Sequence, residues 1–137
     1  MRLLLDTNVV LDLMLAREPF AANSAAIIAA VEAGKCEGYL CATTVTTIHY
    51  LTAKALGRKQ AEEHVSALFG IFRIAAVNEA VLSAALKRGG KDFEDDVLIE
   101  AALNAGADAI VTRNAADFRR APLAIYEPRD VTALLDI

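Results

Sequence analysis

A short apolar run followed at once by a helical pattern recurs along this chain, and that alternation limits its fold more than any other feature. The first instance is "RLLLDTNVVLDLML". Leu3 to Leu5 are apolar on both faces, as in a parallel strand covered by helices on each side. Beyond Asp6, Thr7 and Asn8, the residues Val9, Val10, Leu13 and Met14 return at helical spacing, with Asp12 on another face. Further strands are expected in "GYLCA", "RIAAV", "AIVT" and "PLAIYE". Helices fill the intervals. One runs from Asn23 to Ala33 and stops at Gly34, and a second is capped by Thr43 or Thr44, runs through Leu56 and ends at Gly57. "KQAEEHVSALFGIF" gives a third and "NEAVLSAALKR" a fourth, capped by Asn78 and closed by Gly89 and Gly90. "KDFEDDVLIEAALNAGA" gives a fifth, ending at Gly106. Parallel neighbours require crossovers, so the expected architecture is α/β, a parallel sheet of about five strands with helices on both faces.

The 137 residues fit one compact domain, expected over 1–137 with no linker, and at 55% hydrophobic they can fill a substantial core. Neither an internal repeat nor a low-complexity tract is present; the alanine bias suits helix propensity and close packing. No apolar run is long enough to cross a bilayer, so a soluble protein without a membrane partner is expected. Asp6, Asn8 and Asp12 break the apolar stretch that a secretory leader needs. Cys36 and Cys41 fit neither zinc nor redox spacing and read as small buried thiols around a strand. That usage points to a reducing, cytoplasmic compartment. The formal charge of -4 argues against a protein that coats nucleic acid through bulk positive potential. It leaves room for an enzyme that holds nucleic acid around metal ions.

The carboxylates carry the chemistry. Asp6 follows the first strand, at the sheet edge where ligands bind in open α/β folds, although it can equally cap the next helix. "KDFEDD" crowds Asp92, Glu94, Asp95 and Asp96 into five positions. Asp92 and Asp96 read as acids that favour a helix start, while Asp95 is the better ligand candidate. In "AIVTRNAADF" a buried strand ends in Thr112, Arg113 and Asn114, with Asp117 one short loop later, so these groups emerge at the same edge as Asp6. Three distant acids converging there suit a hard cation such as Mg²⁺ or Mn²⁺, which relieves their repulsion and can activate water for in-line attack on a phosphodiester. Arg113, and Arg119 with Arg120, are candidate phosphate contacts, or else a solvated loop. No Ser-His-Asp, Cys-His or P-loop arrangement competes. A dehalogenase-like phosphatase needs a second acid where Asn8 stands, and a receiver domain needs one after "RIAAV".

Taken in order, "LLLDTNVVLDL", "TTVTTIHYL" and "DFEDDVLIEAALNAGADAIVTRNAADF" resemble the PIN-domain family over nearly the whole chain. That resemblance implies a three-layer α/β/α sandwich and a Mg²⁺- or Mn²⁺-dependent ribonuclease acting on single-stranded or structured RNA. It is similar to VapC-type toxins, which implies a small antitoxin partner and a homodimer. Asp6, Asp95 and Asp117 fall on family acids, Glu94 can add charge, and Asn8, Thr112 and Asn114 fall on supporting polar positions. One position departs from the pattern. Where the family carries glutamate in [ST]-x-x-E, this chain reads Thr46-Thr47-Ile48-His49. His49 can ligate a metal, orient a water or pack in the core. The rival expectation is therefore a PIN scaffold with an impaired site that binds RNA or protein.

Overall fold

In the computed structural model, which describes residues 1–137, five strands alternate with helices in the expected order. Strand β1 is Arg2–Leu5, β2 Glu37–Cys41, β3 Arg73–Ala75, β4 Ala109–Val111 and β5 Ala124–Tyr126. The first four helices are α1 (Thr7–Met14), α2 (Ala21–Glu32), α3 (Ala42–Leu56) and α4 (Arg58–Ile71). Helices α5 (Glu79–Arg88), α6 (Phe93–Ala105) and α7 (Pro128–Leu134) complete the set. A single 3-10 turn spans Ala115–Phe118. The strands form one sheet in the order β3-β2-β1-β4-β5, with every neighbouring pair parallel.

Burial on both faces of the central strand explains its unbroken leucine run. Leu3 and Leu5 point into a core shared with Val9 of α1, Ile27 of α2, Ile48 of α3, Leu68 of α4 and Val131 of α7. Leu4 points the other way, against Val81 and Ala85 of α5, Val97 and Ala101 of α6, and Phe118. Alternate residues of one strand thus serve two helical layers, which makes the molecule an α/β/α sandwich. Both cysteines are buried and unpaired, Cys36 in the first core and Cys41 in the second.

Three local readings change. The carboxylate of Asp12 is fully buried and Leu13 is 36% exposed, the reverse of the apolar face expected for α1, because two arginines come to meet that acid. Helix α3 starts two to three residues earlier than a threonine cap would place it, with Cys41 at the cap and no side-chain bond there. Helix α7 had no counterpart in the pattern. Seven residues give too short a period to read, but Pro128 at its first position and Asp130 accepting the Glu127 N–H at 3.3 Å supply its start.

Gly38 marks where the layers come closest. A β-carbon there would lie 2.7 Å from both the Phe72 ring and Val31, too near for either to remain in place. Gly38→Ala should lower the unfolding free energy by about 1–3 kcal/mol through overpacking. Urea titration should show an earlier midpoint with an unchanged slope.

Candidate active site

The carboxyl ends of β1 and β4 lie side by side, and the backbone N–H of Asp6 donates to the Val111 carbonyl at 2.9 Å, continuing the ladder to the last residue. This register brings two sequence motifs together. One oxygen of Asp6 accepts the Thr7 N–H at 2.7 Å and caps α1, while the other accepts the Thr112 hydroxyl at 2.8 Å. The cap and the site acid are therefore one group with a different task for each oxygen. The Asn8 amide nitrogen stands 3.4 Å from the second oxygen of Asp6, and its carbonyl accepts the Arg113 N–H at 3.3 Å. The Asn114 N–H donates to the Thr112 oxygen at 3.0 Å.

These residues open onto a cavity of about 290 Å³. Its polar wall is formed by Asp6, Asn8, Glu94, Asp95, Asn114 and Arg17, and α3 closes it with Thr43, Thr44 and Thr47. The Thr7 hydroxyl reaches Thr44 at 3.3 Å and ties α1 to α3 at this wall. A wider depression of about 600 Å³ lies along α4 from Lys59 to Ala67, but it draws on one helix and gathers no convergent groups.

Charge is crowded here. Asp95, half-buried in the first turn of α6, has its carboxyl pushed up to about 7 by burial first and then by Asp92, Asp6, Asp117 and Asp96. Asp6 is raised too, burial outweighing the hydrogen bonds from Thr112 and Thr7 that favour its charged form. No three carboxylate, imidazole or thiol groups are gathered closely enough to ligate one ion. Asp6 and Asp95 nevertheless share a cavity rich in hard oxygen donors, and their mutual repulsion is the condition a divalent cation relieves. The donor chemistry fits Mg²⁺ or Mn²⁺.

The remaining predicted residues are placed as follows. Asp117 is exposed on the 3-10 turn, outside the cavity wall, yet its charge is felt at both Asp6 and Asp95. Glu94 is exposed and lines the cavity. Asp92 caps α6 by accepting the Glu94 N–H at 2.9 Å, and buried Asp96 accepts the Gly90 N–H at 2.9 Å. His49 is half-buried and is not among the lining residues; it lies two positions beyond Thr47, about 200° around the helix. The Arg113 guanidinium is directed to Asp12, at 2.5 and 3.0 Å, and stacks 4.0 Å over the Phe20 ring. Arg119 reaches the Ala116 carbonyl at 3.3 Å, and both it and Arg120 are exposed. Missed by sequence reasoning were Arg17, the threonine wall and the burial of Asp12. The signal for the last was an acid set inside "VVLDLML", which needs a cation if that stretch is packed.

An acid-lined cavity at the carboxyl edge of a five-stranded parallel sheet defines an α/β protein with a PIN-like fold. The chain belongs to the PIN-domain family, which matches residues 2–116. Among solved structures it is similar to VapBC-1 from nontypeable Haemophilus influenzae, with a TM-score of 0.72, 18% identity, and coverage of 94% of this chain and 99% of that one. A toxin-antitoxin complex from Klebsiella pneumoniae matches with a TM-score of 0.68 and 20% identity over 91% of this chain and 96% of that one. VapC20 from Mycobacterium tuberculosis, a sarcin-ricin loop cleaving toxin, matches with a TM-score of 0.64 and 11% identity over 79% and 86%. No curated protein sequence is a significant match.

The raised Asp95 sets the pH dependence of the metal-free fold. Its folded value of about 7 lies above the ordinary carboxylate range, so the native state holds a proton that the unfolded chain releases. Its contribution is full at acid pH and is lost as pH rises through about 7. In chelator, the melting temperature should therefore fall between pH 5 and 8, and Asp95→Asn should flatten that part of the profile.

Proposed function

We propose that this chain is a divalent-metal-dependent endoribonuclease of the toxin type, paired with a small antitoxin and working as a homodimer. The observation that carries the reading is the cavity where Asp6 and Asp95 meet, with one acid fixed by Thr112 and the other raised to about 7 by burial first and by its acidic neighbours second. Membership of the PIN family supports nuclease chemistry, and PIN domains use divalent metals. Likeness to the Klebsiella pneumoniae complex and to the sarcin-ricin loop cleaving toxin supports the antitoxin and RNA parts. No helix is long and apolar enough to cross a membrane.

In this reading Mg²⁺ or Mn²⁺ is held by Asp6 and Asp95, with Asp117 the third acid and Glu94 adding charge at the rim. When bound, such an ion stabilises the negative charge that develops as water attacks a phosphodiester. The chain's own residues set the stage. Thr112 fixes the Asp6 rotamer, and Asn8 and Asn114 offer amide groups to the cavity.

A second reading rests on α3, which gives the wall threonines and no acid. A PIN scaffold short of one carboxylate would bind RNA or protein without cutting. The test is a cleavage assay on single-stranded and hairpin RNA, with Mg²⁺, Mn²⁺ or chelator. Cleavage should require metal and vanish in Asp6→Asn, and Thr112→Val should lower the rate about 10- to 100-fold by releasing the acid it orients. Cleavage that survives Asp6→Asn would remove the mechanism. An inactive wild type that gains activity with Thr47→Glu, whose new acid faces the cavity, would establish the impaired scaffold.

A further inference from the structure

We infer that Arg17 is the residue that receives substrate phosphate in this cavity, and that the buried pair of Asp12 and Arg113 exists to position it. The inference rests on the ribonuclease reading and assigns the substrate contact within it.

Among the residues that line the cavity, Arg17 is the one cation. Every other charge there is acidic, so an RNA strand entering the cavity needs a positive group to offset its phosphate. The candidates read from sequence are placed elsewhere. Arg113 gives a two-pronged bond to Asp12 and lies over Phe20, while Arg119 and Arg120 stand on the loop beyond the 3-10 turn.

The placement of Arg17 is built by the end of α1. Helix α1 closes with the Arg17 N–H on the Asp12 carbonyl at 2.9 Å and the Ala16 N–H on the Leu13 carbonyl at 3.1 Å. These are the two bonds of a Schellman stop. Ala16 occupies the left-handed position with φ of 50°, where glycine is the usual residue and a β-carbon is disfavoured. The chain accepts that strain and turns Arg17 back over its own helix. Its guanidinium then stands 3.7 Å from Asp12, held by charge without a close two-pronged bond.

Asp12 thus faces two cations with one negative charge. Arg113 takes the short contacts with the buried carboxylate, and Arg17, whose side chain is 41% exposed, keeps free donors and a surplus positive charge toward the cavity. A guanidinium restrained at one side and open at the other is suited to a phosphodiester oxygen.

The test measures binding of a labelled single-stranded RNA oligonucleotide and of a hairpin to the Asp6→Asn protein by fluorescence anisotropy across a salt series. Adding Arg17→Gln should weaken binding about tenfold and reduce the salt slope by about 0.7, the loss of one phosphate contact. Arg17→Lys should recover part of the affinity, since it restores the charge without the fork. Arg113→Lys, which keeps a charge beside Asp12, should weaken binding less than Arg17→Gln when compared at a temperature where a melting curve shows both proteins folded, because Arg113 acts only through Asp12. In wild-type background, Arg17→Gln should raise KM more than it lowers kcat. Unchanged affinity and salt slope in Arg17→Gln, with the drop appearing instead in Arg119→Gln or Arg120→Gln, would overturn the assignment while leaving the nuclease reading standing. Absence of RNA binding by every form would overturn both.

Discussion

The hydrogen bond from Thr112 to Asp6 joins the two halves of this site, and it exists because β1 and β4 are parallel neighbours that end together. In an antiparallel pair the residue after one strand would face the start of the other. Here residues that are distant in sequence leave the sheet at one edge, and each then begins a structure of its own: α1 after Asp6, the 3-10 turn after Asn114. The layered core fixes that edge. Leu3 and Leu5 bind the strand to one helical layer and Leu4 to the other, so β1 cannot shift register without exposing both sets.

Electrostatics divide the same edge into two sectors. On one side Asp6, Asp95 and their acidic neighbours repel one another, and burial together with that repulsion raises the Asp95 carboxyl to about 7. On the other, Asp12 is fully buried between Arg113 and Arg17. A buried acid with one partner removed is strongly destabilising, so this pairing is demanded once α1 packs its Asp12 face inward. The acidic sector calls for a cation and the basic sector for an anion. In the proposed function, a phosphodiester held beside a divalent ion would supply both.

Much of this was legible in the sequence because it rests on short-range rules. Strand order aside, the alternation of apolar runs and helical patterns gave the α/β layering, Asn78 and Asp92 capped their helices as their residue types suggest, and Gly89 and Gly106 adopt the left-handed stop. What escaped depends on tertiary partners. Asp12 read only as a residue on another face of α1, because nothing local reveals an arginine 101 positions away. Arg113 read as a candidate phosphate contact, and nothing local reveals that its guanidinium is directed to Asp12. His49 was singled out by motif spacing, whereas the face of α3 that lines the cavity is set by how that helix packs, and it presents Thr43, Thr44 and Thr47. Helix α7 is seven residues long and too short for periodicity to identify.

In the proposed function Asp6 and Asp95 share one divalent cation at the carboxyl edge of the sheet. Calorimetric titration with Mn²⁺ at pH 6, repeated in buffers of different ionisation enthalpy, tests it most directly, because an ion that binds there must displace the proton Asp95 retains at that pH. One site with release of about one proton per ion is expected, and loss of that release in Asp95→Asn. Binding without proton release, or binding unchanged when Asp6 and Asp95 are both replaced by asparagine, would contradict it.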